Sequence, residues 1–172
     1  MGRTVLALML REMATTYGRS AGGYLWAILD PVLGVALLSV LFSMALRHPP
    51  IGENFALFYA TGYLPFAMFN SLSQKISRSV QFSRPFMTYP CVTFMDMLVA
   101  RLLLNGLTDI VVMVIIVVGI MLIYNLPFWV DLGALSLTMG LIILLAAGIG
   151  TLNCFIMTSF PVYERVWSIV TR

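Results

Sequence analysis

Charge is scarce in this chain, and each shortage closes off a class of function. Only 10% of its 172 residues are charged, against about 25% in an ordinary soluble domain. With 60% of the residues hydrophobic and a mean hydropathy of +0.97, the chain reads as an integral membrane protein. It has one lysine, Lys75, and no glycine-rich phosphate loop precedes it, so nucleotide binding by that route is excluded. The one histidine, His48, lies beside Pro49 and Pro50. No Ser/His/Asp set, metal cluster or close carboxylate pair can be assembled around it. The composition therefore argues against an enzyme, and against a metal or cofactor of the chain's own. The two cysteines, Cys91 and Cys154, have no metal-ligand spacing and read as packing residues rather than a disulfide. A net charge of +3 is too small to point to nucleic acid. Arg3, Arg11, Glu12 and Arg19 are scattered among apolar positions, which is not the pattern of a cleavable signal peptide.

Long apolar runs are what the chain does have. A spanning helix needs about 20 mostly apolar residues, and four stretches qualify, at about 24–46, 55–74, 98–123 and 132–158. The second is the most polar, with Thr61, Asn70 and Ser71 inside it and Pro65 near its middle. A kinked helix facing protein rather than lipid tolerates such residues. The cations are distributed unevenly around these runs. Arg3, Arg11 and Arg19 precede the first; Lys75, Arg78, Arg84 and Arg101 lie around the connection between the second and third; Arg165 and Arg172 follow the fourth. The opposite side has only Arg47. By the positive-inside rule both termini and the middle loop are expected in the cytoplasm.

Residues 4–19 have helical periodicity. Val5, Leu6, Met9, Leu10, Met13 and Tyr17 follow i, i+3, i+4 spacing, with Arg3, Ala7, Arg11, Thr15 and Arg19 opposite. This predicts an amphipathic helix lying in the membrane interface, drawn to anionic lipid by its arginines. Gly18, Gly22 and Gly23 then allow a sharp bend into the first span, which opens with Gly23, Tyr24, Trp26, Asp30 and Pro31. The loop 75–97 is expected to be structured: Gln74 to Phe82 suits a short helix, while Arg84-Pro85 and Tyr89-Pro90 enforce extended or turn geometry. A structured loop of about twenty residues is more often functional than spacer. No repeat or low-complexity segment divides the chain, so residues 1–172 read as a single all-α, polytopic membrane domain.

Three groups of residues have both a functional and a packing reading. Arg101, Asn105 and Asp109 recur every four residues on one face of the third span, with Thr108 alongside. Charge at mid-bilayer costs about 2.5–3.5 kcal/mol on insertion scales, so this face must look into protein or water. It is either a polar channel face for a hydrophilic substrate or interhelical glue, with Arg101 snorkelling to the surface. Ala146 to Gly150 and Ala147 to Thr151 have the small-xxx-small spacing of close helix packing, within the chain or between subunits. The aromatics of the second span, including Tyr59, Tyr63 and Phe66, fit a membrane belt or the lining of a path for sugars.

The run Gly23-Tyr24-Leu25-Trp26-Ala27-Ile28-Leu29-Asp30-Pro31, after Tyr17-Gly18-Arg19-Ser20, resembles the first-span signature of type-2 ABC exporter permeases. It is closest to the polysaccharide branch, which exports capsule and lipopolysaccharide O-antigen chains. Gly62-Tyr63-Leu64-Pro65-Phe66, Asp96 with Ala100-Arg101, and Phe160-Pro161 are similar to that branch as well, so the resemblance covers the whole chain. It implies a multi-pass protein of the bacterial inner membrane, in which two permease copies work with two cytoplasmic ATPase subunits. ATP and Mg would be bound by the ATPase, and the substrate would be a lipid-linked or otherwise anchored glycan. The amphipathic helix and the loop, with Arg11, Arg19, Lys75, Arg78, Arg84 and Pro85, would contact the ATPase as coupling elements. Family members usually have six spans, so the resemblance implies an incomplete chain, with a natural four-span form as the alternative. Export of a drug, lipid or ion, and a scaffold that transports nothing, are the competing functions. A secondary carrier is disfavoured because inverted repeats and paired broken helices are missing.

Overall fold

A computed structural model describes residues 2–16, 23–45, 49, 54–83, 93–126 and 131–170. Among these described residues the chain forms helices and no strands. The helices are α1 (Gly2–Thr16), α2 (Gly23–Ala45), α3 (Phe55–Ser77), α4 (Ser79–Ser83), α5 (Phe94–Ile123), α6 (Leu132–Ser159) and α7 (Pro161–Val170). The all-α reading holds, and the expected apolar stretches begin and end within a few residues of α2, α3, α5 and α6.

Local chemistry sets the starting points. Asn54 caps α3, its Oδ1 accepting from the Ala56 and Leu57 amides at 2.9 and 3.3 Å. Thr93 and Asp96 form a capping box at α5: the Asp96 amide donates to Thr93 Oγ1 at 3.3 Å, and the Thr93 amide to Asp96 Oδ2 at 3.2 Å. Asp131 caps α6 through the Gly133 and Ala134 amides at 2.8 and 3.2 Å. At the far end of α5, Asn125 takes a left-handed φ of 50° and turns the chain, a conformation asparagine tolerates better than most residues.

Three helical stretches are long and apolar enough to cross a membrane: Leu25–Met44, Phe94–Ile123 and Leu132–Ser159. α3 is not among them, although it is 23 residues long and runs unbroken through Pro65. Its position in the bundle explains why. α3 packs against α2, α5 and α6, and Ala56, Ala60, Leu64, Met68, Leu72, Ser73, Ile76 and Ser77 are buried along it. Neighbouring protein covers much of this helix, so its hydropathy need not match that of its lipid-facing neighbours.

Two apolar clusters hold the helices together. Val35, Ala60, Leu64, Val112 and Ile116 join α2, α3 and α5; Leu72, Ile76, Leu98 and Ala146 join α3, α5 and α6. Small residues permit the closest approaches. A Cβ on Gly150 would lie 2.8 Å from Ile76 Cβ and 3.1 Å from the Ser73 carbonyl, and one on Gly34 would lie 2.6 Å from the Tyr63 ring. Thus Ala146 and Gly150 serve packing within the chain. Phe42 stacks on Tyr59, with ring centroids 5.0 Å apart, which puts the end of α2 beside the start of α3. The end of α3 in turn meets the start of α5 and the end of α6. α3 therefore runs antiparallel to α2 and α5 and parallel to α6.

One detail departs from the sequence reading, and two add to it. α3 continues to Ser77 with Arg78 as its cap, so the short helix expected from Gln74 is confined to Ser79–Ser83. α7 follows α6 directly, Pro161 filling a first-turn position where its missing N–H costs nothing. The third detail concerns α1, where Leu6 and Leu10 are exposed while Glu12 is buried. The helix turns an acidic residue toward α5 and leaves much of its apolar face outside the bundle. Residues 17–22, where the glycine bend is expected, lie outside the described residues.

Candidate functional site

Most charged groups of the described bundle lie toward one end, around Arg101, whereas Asp131 caps α6 at the other. Glu12 of α1 and Arg101 of α5 are 8% and 7% exposed, with Arg101 Nε 3.2 Å from Glu12 Oε1. Nε finds no aligned hydrogen-bond acceptor among the described residues, so the contact is an ion pair rather than a directed bond. Asn105, one turn along, donates to Glu12 Oε1 at 3.4 Å and to the Arg101 carbonyl at 3.0 Å. Arg101 Nη1 donates to the Lys75 carbonyl at 2.7 Å. That carbonyl belongs to the last turn of α3, where intrahelical partners run out and a cation is favourable. The Arg101 guanidinium also lies over the Phe82 ring of α4, 4.3 Å from its centroid, and Arg11 of α1 approaches the same ring at 5.6 Å. Both distances are within reach of a cation–π attraction.

Beside this junction is a cavity of about 520 Å³ between α2, α3 and α5. Trp26, Asp30, Tyr63, Ser71, Lys75 and Asp109 supply its polar and aromatic lining. Lys75 Nζ reaches Asp109 Oδ1 at 3.9 Å, while Asp109 Oδ2 is buried without a hydrogen-bond partner among the described residues. A space of this size is in the range of small-ligand pockets. Its aromatic faces, carboxylates and ammonium could hold a hydroxyl-rich molecule.

No protein-family model matches the chain. Individual proteins do. The polysialic acid transport protein KpsM of Escherichia coli is 29% identical over 169 residues, covering 98% of this chain and 66% of that protein. The capsule polysaccharide export inner-membrane protein CtrC of Neisseria meningitidis is 25% identical over 98% of this chain and 64% of its own length. Its counterpart BexB of Haemophilus influenzae is 23% identical over 96% of this chain and 63% of its own length. The chain is similar to capsule polysaccharide export proteins. It spans a little under two thirds of the length of these relatives. The apolar helices agree with the inner-membrane names of CtrC and BexB, and the chain is a multi-pass protein of that membrane.

Against this exporter likeness, the residues singled out from the sequence fall into separate places. Arg101 and Asn105 tie helices together, whereas Asp109, on the same face, lines the cavity. The polar face is therefore divided between contacts that join helices and a stretch of cavity wall. From the first-span motif, Trp26, Asp30 and Pro31 border the cavity; Gly23 opens α2, and the side chain of Tyr24 lies outside the described residues. Of the three aromatics considered for a sugar path, only Tyr63 lines this cavity. Tyr59 stacks on Phe42 toward the other end of α3, and Phe66 is 62% exposed, pointing out of the bundle. Lys75 and Arg78 border a second hollow with Gln74, Gln81, Phe82 and Arg101. Arg19, Arg84 and Pro85 lie outside the described residues. Sequence reasoning missed Glu12 and Phe82. A lone acid among arginines on a surface helix was the available signal for Glu12, and it points to no particular partner.

Proposed function

We propose that this chain is the membrane subunit of an ATP-driven exporter that moves a capsule- or O-antigen-type glycan out of the cytoplasm. One observation carries the reading: similarity to capsule polysaccharide export inner-membrane proteins over 96–98% of the chain. In this reading α3 is a fourth span, wrapped by the other helices. The end of the bundle holding α1, α4, Arg11, Lys75, Arg78 and Arg101 faces the cytoplasm, and so do both termini. The concentration of cations there supports that orientation.

The working unit would be two copies of this chain with two copies of a cytoplasmic ATPase, which binds ATP and Mg; the chain itself performs no catalysis. Arg11, Arg19, Lys75, Arg78, Arg84 and Pro85 would meet the ATPase, with the loop 75–97 as its coupling element. Trp26, Tyr63 and Asp109 would border the cytoplasmic start of the glycan's path. Gene deletion tests the reading. Loss of surface glycan with intracellular accumulation, reversed by restoring the gene, is the expected result. Normal surface glycan would favour export of a drug, lipid or ion, and failure to bind any ATPase would favour a scaffold.

A further inference from the structure

From the contacts around Arg101 we infer that this residue is a positioning residue for coupling, forcing α1, α4 and the end of α3 to move together with α5. The inference rests on the exporter reading and adds to it the joint through which force from an ATPase would reach the cavity. Four elements meet at one side chain. Arg101 stands on α5, pairs with Glu12 of α1 at 3.2 Å, holds the Lys75 carbonyl of α3 at 2.7 Å and lies over Phe82 of α4 at 4.3 Å. α1 and α4 are the described elements assigned above to the ATPase side. Neither can shift relative to α5 without breaking a contact to this guanidinium.

The energetics favour positioning over simple adhesion. A buried ion pair gains little net stability, because desolvation offsets most of the attraction; apolar replacements of similar volume are often neutral or better. What such a pair supplies here is a fixed register, since losing one partner leaves a buried charge uncompensated. α1 could have docked through Leu6 and Leu10, yet those side chains are exposed and Glu12 is the buried one. The joint also has an outlet. The residue whose carbonyl binds Arg101 sends its own side chain toward Asp109, 3.9 Å away in the cavity wall. Displacement of α1 or α4 thus reaches the cavity through Lys75.

The test reverses the charges in the full chain, made in cells together with its ATPase. Glu12→Arg, Arg101→Glu and the double reversal are compared for surface glycan, ATPase co-purification and ATP hydrolysis by the purified complex. Each single reversal should lower export by about tenfold or more while the complex still assembles and hydrolyses ATP. The double reversal should recover most of the export, a restoration that general damage to the fold would not give. If the single reversals do not assemble, Glu12→Gln, which keeps the side-chain shape, should show the same loss of export per ATP hydrolysed. Wild-type export in the single variants or in Glu12→Gln overturns the inference. So does failure of Glu12→Gln to assemble, or a double reversal that assembles and recovers nothing. A wild-type chain that moves no glycan would instead overturn the exporter reading, and that is seen before any variant is made.

Discussion

Single residues with no room to change carry much of the packing. Gly150 of α6 faces Ile76 and the Ser73 carbonyl, and the nearest atoms are a branched Cβ and backbone, which cannot swing aside. Gly150→Ala should therefore destabilise the bundle by about 1–3 kcal/mol, read as a lowered Tm in detergent. Gly148, two positions away, has open space around it; Gly148→Ala should stay within about 0.5 kcal/mol of the parent. Equal shifts in the two variants would contradict the α3–α6 contact. At this scale the sequence was partly legible. The spacing of Ala146 and Gly150 announces a close helix contact, because small residues every four positions make one face of a helix. Glu12 was not legible: its partner Asn105 is 93 positions away, and no periodicity links an acid on one helix to an amide on another.

Whole helices were legible wherever hydropathy speaks locally. Asp96 three residues after Thr93 marks the start of α5, and the structure makes both halves of that capping box. Replacing Thr93 with alanine should cost about 1 kcal/mol, with Thr93→Ser close to the parent because the hydroxyl is kept; thermal unfolding in detergent checks both. α3 is the element whose sequence understates its place. Its polar residues weaken the signal of a span because protein supplies the surroundings that lipid would otherwise supply. A lipid-dissolved photoreactive probe should accordingly label α2 and α6 heavily and α3 lightly. Heavy labelling of α3 would show that it stands at the edge of the bundle rather than in its interior. The orientation of α1 about its own axis was hidden for a related reason. Amphipathic periodicity says which residues share a face but not whether lipid or protein covers it.

The molecule as a whole is polarised, with Arg11, Lys75, Arg78 and Arg101 gathered at one end of a largely apolar bundle. That polarity is legible in the distribution of lysine and arginine along the sequence. Which cations would be joined and which would line a cavity was not legible, because that depends on contacts between helices. Topology can be checked on α5 alone, since Met95 and Tyr124 are exposed near its two ends. With Cys91 and Cys154 replaced by alanine, Met95→Cys should react with an impermeant maleimide only in inside-out vesicles. Tyr124→Cys should react only in right-side-out ones. The reverse pattern would place the cationic end in the periplasm and remove the ATPase from its assigned position. The central claim is transport itself, and it is tested most directly by loading proteoliposomes with nothing inside and supplying glycan, the ATPase and Mg-ATP outside. The account predicts glycan accumulating in the lumen only when the chain, the ATPase and hydrolysable ATP are all present. Accumulation without ATP, or none when all three are present and hydrolysis proceeds, would contradict it.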